Sequence, residues 1–81
     1  MRNPILMPDV GDEVPAVSLW FAQPGDQVYA GDRVVELLLR SATFDVSAPV
    51  TGRLLEKAAQ PGERLAPGQV LGWIEVDTET P

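Results

Sequence analysis

"AQPGDQVYAGDRVVEL", residues 22–37, returns 37 places later as "AQPGERLAPGQVLGWI", residues 59–74. The shift lays Val28 on Leu65, Gly31 on Gly68, Val34 on Leu71 and Leu37 on Ile74. Two copies in a short chain cannot build a solenoid. The repeat instead predicts two matching half-domains packed face to face around a pseudo-two-fold axis, each supplying half of one core. Within each copy, "QPG" followed by an acid reads as a tight turn of type II, in which Pro presets φ and Gly takes the positive-φ position. A second cluster, "AGD" (30–32) or "PGQ" (67–69), turns the chain again a few residues later.

Working outward, eight prolines and seven glycines are spread over all 81 residues, which leaves no window for a helix of ordinary length. The chain is therefore all-β. Strands are expected near 3–7, 16–22, 27–29, 33–39, 43–48, 52–58, 63–65 and 69–76, separated by turn chemistry at the close intervals of a small sandwich or barrel. The inward positions are Val17, Leu19, Phe21, Val28, Val34, Leu37, Phe44, Val46, Leu54, Leu65, Leu71 and Ile74. Trp20 and Trp73 alternate out of phase with them and are expected either to cap the ends of the sandwich or to cover an interface.

Composition excludes several functions. A domain this small buries roughly 60–65% of the surface of its unfolded chain, too little to enclose a large catalytic cavity. The sequence has no cysteine and no histidine, so it lacks disulfides, thiolate metal sites and the commonest general base. A formal charge of −6 and a pI near 4.3 oppose the basic footprint that nucleic acid selects. No stretch approaches the ~20 apolar residues of a membrane span, and "MRNPILMPDVGD" lacks the apolar core of a signal peptide. The expectation is a monomeric cytoplasmic domain over residues 1–76, followed at 77–81 by a polar tail or the start of a linker.

The apolar run Leu37–Leu38–Leu39 stops at Arg40-Ser41-Ala42, and an alternating run follows at once, so these three residues form the tip of a hairpin. Ser41 could be phosphorylated or carry a prosthetic group, but a serine at a tight turn is also ordinary turn chemistry. Arg40 could meet an acidic partner or a phosphate, or simply be solvated. Asp9, Asp12 and Glu13 suggest a cation site, against the plainer reading of a solubilising acidic loop; no metal is expected. Asp26, Asp32, Glu63 and Glu75 fall at turns and strand ends, with no evident partner that would fit one of them for general acid work. Trp20, with Asp12 and Glu13, is a candidate for partner recognition.

Four segments in order, "MPDVG" (7–11), "PGDQVYAGDRVVE" (24–36), "ATFDVSAPVTGRL" (42–54) and "PGERLAPGQVLGWIE" (61–75), resemble the lipoyl/biotinyl domains, especially those of the acyltransferase components of 2-oxoacid dehydrogenase complexes. The likeness covers residues 6–76. It implies a flattened β-barrel or sandwich of two four-stranded antiparallel sheets with quasi-two-fold symmetry, the barrel-sandwich hybrid, in agreement with the repeat. It also implies a non-catalytic domain of a multienzyme complex that presents lipoate or biotin on a lysine at the hairpin tip, where the cofactor supplies the chemistry. In lipoyl domains the tip reads Asp-Lys-Ala, and in biotin carriers Met-Lys-Met. Here Ser41 falls on the acceptor position, between Arg40 and Ala42.

The chain's one lysine, Lys57, pairs with Trp20 under the repeat and is no substitute. The loop "DEVP" (12–15), which in the family lies beside the tip and helps partners choose it, is a residue or two shorter here. The implied function is an unmodified interaction or scaffold module with protein partners, components of a 2-oxoacid dehydrogenase complex being the candidates, and with no cofactor. The alternatives are a genuine lipoyl or biotin swinging-arm carrier, the lipoyl-like half of a membrane fusion adaptor, which would need a long helical insertion at this three-residue tip, and an enzyme in its own right.

Overall fold

The computed structural model describes residues 1–76; the tail expected at 77–81 lies outside the described residues. Among the described residues there are seven strands and no helix: β1 (Arg2–Leu6), β2 (Ala16–Trp20), β3 (Gln27–Val28), β4 (Arg33–Leu38), β5 (Thr43–Ser47), β6 (Gly52–Lys57) and β7 (Val70–Val76). They form two antiparallel sheets, one in the order β1-β7-β6-β3 and one in the order β2-β4-β5. The strand expected at 63–65 is reduced to a single bridge between Ala16 and Arg64. That bridge is the repeat's image of the Gln27–Arg53 pair at the edge of the other sheet, so the second sheet has a vestigial fourth strand in the symmetric place.

The turns carry the symmetry. Asp26 N–H donates to the Gln23 carbonyl across Pro24-Gly25, and Glu63 N–H donates to the Gln60 carbonyl across Pro61-Gly62. Gly25 and Gly62 have φ of 98° and 88°, the left-handed backbone of the third residue of a type II turn. In each turn the acid folds back, so that Gln23 N–H donates to Asp26 Oδ2 and Gln60 N–H to Glu63 Oε1. The same device recurs where Tyr29 N–H donates to Asp32 and Ala66 N–H to Gln69. Each turn is also bonded into the opposite half. Gly25 N–H reaches the Leu54 carbonyl while Leu54 N–H returns to Asp26, and Gly62 N–H reaches the Val17 carbonyl while Val17 N–H returns to Glu63.

Between the sheets lies one core, with Ile5, Val34, Val35, Leu37, Leu54, Leu71 and Ile74 wholly enclosed. Burying each large side chain contributes about 1.5–3 kcal/mol. Nine of the twelve inward positions expected from alternation are in or against this core; Leu19, Phe21 and Phe44 are not, being about 40% exposed. A β-bulge is the reason for the first two. The β2–β4 register slips between Val17 and Leu19, so Ser18 is the extra residue and every side chain after it changes face. Leu19 and Phe21 therefore turn outward, and the Arg33 guanidinium lies over the Phe21 ring at 4.7 Å. Phe44 shares the face of Leu37, its cross-strand partner, but sits on the edge strand β5 one pair short of the hairpin tip.

The same slip sends Trp20 inward, to 8% exposure, where its indole N–H donates to the Ala59 carbonyl at 2.9 Å. Trp20 is therefore a core residue and not a surface for partners. Trp73 is half-buried with the Arg2 guanidinium stacked on it at 4.7 Å. Room for Trp20 comes from Gly72: a Cβ there would stand 2.8 Å from the Glu56 carbonyl oxygen and 3.0 Å from the Trp20 ring. Gly52 is tighter still, since its Cβ would collide with the Glu75 backbone.

Gly72→Ala should destabilise the domain by about 1–3 kcal/mol, as overpacking does, and Gly52→Ala by more. In thermal unfolding this corresponds to a fall in Tm of roughly 5–20 °C for a domain of this size. Trp20→Phe should cost about 1–3 kcal/mol through the unsatisfied Ala59 carbonyl, read in the same melts.

Candidate functional site at the hairpin tip

The β4–β5 hairpin closes where Leu39 N–H donates to the Ala42 carbonyl at 2.8 Å, leaving Arg40 and Ser41 as the two tip residues. Both are exposed, as is Ala42. Two-residue hairpins usually need positive φ, and hence Gly or Asn, at one or both tip positions. Among the described residues none other than glycine has positive φ. The tip therefore holds ordinary L-residues in ordinary backbone, and position 41 accepts any exposed side chain without strain.

The loop at 12–15 is laid against this tip. Glu13 Oε1 accepts the Arg40 N–H at 2.8 Å, a bond between residues 27 apart in sequence. An otherwise unpaired tip donor is thus satisfied by a charge-assisted bond. Pro15, buried behind it, anchors the loop, and its carbonyl accepts the Leu65 N–H. Asp12 and Glu13 therefore lie beside Arg40-Ser41-Ala42, as the sequence suggested. Trp20 does not, because it is buried beyond the other end of β2 against Ala59.

Loop, tip and vestigial strand enclose an open groove of about 430 Å³, lined by Asp12, Glu13, Val14, Ala16, Leu38, Leu39, Arg40 and Arg64. Val14, Ala16, Leu38, Leu39 and Arg64 are the members that reading the sequence missed. A signal for Arg64 was present, since the repeat maps the Arg53–Gln27 pair onto Ala16 and Arg64 and so places Arg64 beside the start of β2.

Asp9, Asp45 and Glu75 have structural partners. Asp9 accepts the Gly11 N–H, Arg33 bonds Asp45, and Glu75 pairs with the N-terminal amine. Among the described residues no three acidic side chains converge as metal ligands. Lys57 ends β6, in the other sheet, and its Nζ donates to Gln23 Oε1 at 2.8 Å. Gln23 follows the Trp20 end of β2, whereas the hairpin tip adjoins the Ala16 end, where Ala16 pairs with Leu38. The lysine and the tip are thus at opposite ends of a strand.

This architecture is shared with known proteins. The backbone superposes on a single-chain, multi-domain long-chain acyl-CoA carboxylase with a TM-score of 0.77 at 19% identity, covering 96% of this chain and 7% of that one. It also matches the lipoyl domain of the 2-oxoglutarate dehydrogenase complex from Azotobacter vinelandii, with a TM-score of 0.64 at 21% identity over 93% and 92% of the two chains. In sequence the chain is 37% identical over 75 residues to the lipoamide acyltransferase component of the branched-chain alpha-keto acid dehydrogenase complex of Pseudomonas putida, covering 90% of this chain and 18% of that protein. It is 32% identical over 77 residues to the dihydrolipoyllysine-residue succinyltransferase component of the 2-oxoglutarate dehydrogenase complex of Bartonella vinsonii subsp. berkhoffii, covering 93% and 19%. The chain thus spans under a fifth of these relatives' length. The biotin/lipoyl family model, described as "Biotin-requiring enzyme", matches residues 3–76. Because that family model spans nearly all of the two-sheet fold described above, the chain belongs to the biotin/lipoyl family of domains.

Proposed function

We propose that this domain is a non-catalytic member of the family that has lost its acceptor lysine and serves, unmodified, as an interaction or scaffold module. The observation that carries the reading is Ser41 at the exposed hairpin tip, between Arg40 and Ala42, and the resemblance of the flanking segments to lipoyl and biotinyl domains supports taking it as the position of their lysine. A serine hydroxyl offers no amine for the amide bond that joins lipoate or biotin to these domains. Lys57, the one lysine in the sequence, is held by Gln23 at the other end of β2 and is no stand-in. The glycines, turns and core that build the fold are in place, while the departures from the family pattern cluster at Arg40, Ser41 and the loop at 12–15.

The partners proposed are protein components of a 2-oxoacid dehydrogenase complex, supported by the relatives' membership of such complexes. The domain is taken to be a cytoplasmic monomer, which its net charge of −6 favours by opposing self-association. The second reading, a working swinging-arm carrier, draws on the same relatives and requires an amine that is modified.

Intact mass after co-expression with a lipoate ligase, and separately with a biotin ligase, decides between the two. The wild-type chain should keep its unmodified mass while Ser41→Lys gains a lipoyl or biotinyl group, because the backbone at position 41 already suits a lysine. A lipoyl or biotinyl adduct on the wild-type chain would overturn the proposal. The tip itself should depend on Glu13. Glu13→Ala should speed hydrogen exchange at the Arg40 amide by roughly 5- to 20-fold, the loss of one charge-assisted bond, with amides in the β6–β7 pair unchanged.

A further inference from the structure

The sequence has six cationic side chains. Four are engaged within the described structure. Arg2 stacks on Trp73, Arg33 stacks on Phe21 and bonds Asp45, Arg53 donates to the Gly25 carbonyl, and Lys57 donates to Gln23. The guanidinium groups of Arg40 and Arg64 have no acidic partner among the described residues. These two are 24 positions apart in sequence, yet both line the single groove beside the tip. With Asp12 and Glu13 also in its lining, the groove is formally neutral in a protein with twice as many acids as bases, so it is a local break in the acidic surface that holds two guanidinium groups without ion-pair partners.

Neither acid of the groove is paired with a guanidinium among the described residues: Glu13 accepts the Arg40 backbone N–H, and Asp12 forms no ion pair. Between the two arginines the lining is apolar, with Val14 and Leu38 each more than half exposed and Ala16 and Leu39 beside them. Guanidinium forks take carboxylates in bidentate fashion, and exposed apolar surface rimmed by charge is the usual form of a protein-binding patch.

We infer that this groove docks a protein segment that carries two carboxylates around a short apolar stretch, with Arg40 and Arg64 receiving the acids and Val14 and Leu38 the apolar side chains. The inference rests on reading the domain as an interaction module and supplies the chemistry of its partner. A segment of that kind would be repelled by the remainder of this acidic chain but meets no net negative charge in the groove, where two unpaired guanidinium groups can receive it, so the charge pattern favours the site as well as the ligand.

The test is an amide-resolved NMR titration of the 15N-labelled domain with acetylated, amidated peptides in which two glutamates flank one, two or three leucines, beside the same peptides with glutamine. An exposed ion pair is worth about 1.5- to 5-fold in affinity. At least one glutamate peptide should therefore bind roughly 2- to 25-fold more tightly than its glutamine counterpart, with shifts centred on residues 13–16, 38–41 and 64. The difference should shrink as salt rises from about 50 to about 500 mM. Arg40→Glu combined with Arg64→Glu, both exposed, should keep the dispersed spectrum of the fold and lose the preference for glutamate.

Equal affinity for the two peptide series, shifts centred elsewhere, or no shifts at millimolar peptide would overturn the inference. So would tighter binding at the groove by octanoate, used as a free small acid, than by any peptide. None of these results changes the mass experiment, so an unmodified domain with a silent groove would retain the first reading and discard this one.

Discussion

The reciprocal hydrogen bonds of the two "QPG" turns hold the rest of the structure in place. Each turn belongs by sequence to one half of the chain and by hydrogen bonding to the other, so Gln23–Asp26 closes onto Leu54 and Gln60–Glu63 closes onto Val17. Neither half can complete its sheet alone. A small domain without disulfides needs such cross-connection, because its core alone offsets the entropy of folding only narrowly. The requirement falls on the backbone of Gly25 and Gly62, where a left-handed φ lets the turn present its N–H groups to the opposite strand.

From that lock the position of the candidate site follows. Val17 is fixed by Glu63 and Gly62, and Pro15 by Leu65, so the chain before β2 must leave the sheet beside the β4–β5 tip. The loop at 12–15 then lies where Glu13 can reach the Arg40 N–H. Arg64 arrives beside Ala16 as part of the same turn that anchors Val17. The groove is thus a product of the symmetry lock, assembled from three segments that meet only because the halves interlock. The break in the apolar run puts the hairpin tip at Arg40-Ser41-Ala42, and the geometry adds what surrounds it.

A bulge is where reading by alternation failed. Strict period-two counting made Leu19 and Phe21 inward and Trp20 outward, and Ser18 reverses all three by inserting one residue between paired positions. The other sheet carries the equivalent slip between Leu54 and Glu56, with Lys57 in the place that Trp20 takes in the first. A bulge has no strong local sequence signature, because it is stabilised by what the flipped side chains then meet: here the space above Gly72 and the Ala59 carbonyl for Trp20. Phe44 was assigned to the right face, and its exposure comes from its place on an edge strand near an open end.

The sequence by itself determined the all-β class, the two-fold repeat, the four glycine turns, the hairpin tip and the identity of its residues. Each of these is written in local chemistry, in Pro and Gly that fix φ, in alternation, and in the run that breaks at Arg40. It also determined that the tip has no lysine, a fact about composition that no packing can alter. Only the tertiary structure decided that Trp20 is core, that the 63–65 segment pairs through one bridge, and that Arg64, Val14 and Leu38 share a groove with Arg40 and Glu13. Those features depend on distances between segments far apart along the chain, set by bulges and by the interlocking of the halves, and no window of neighbouring residues contains them.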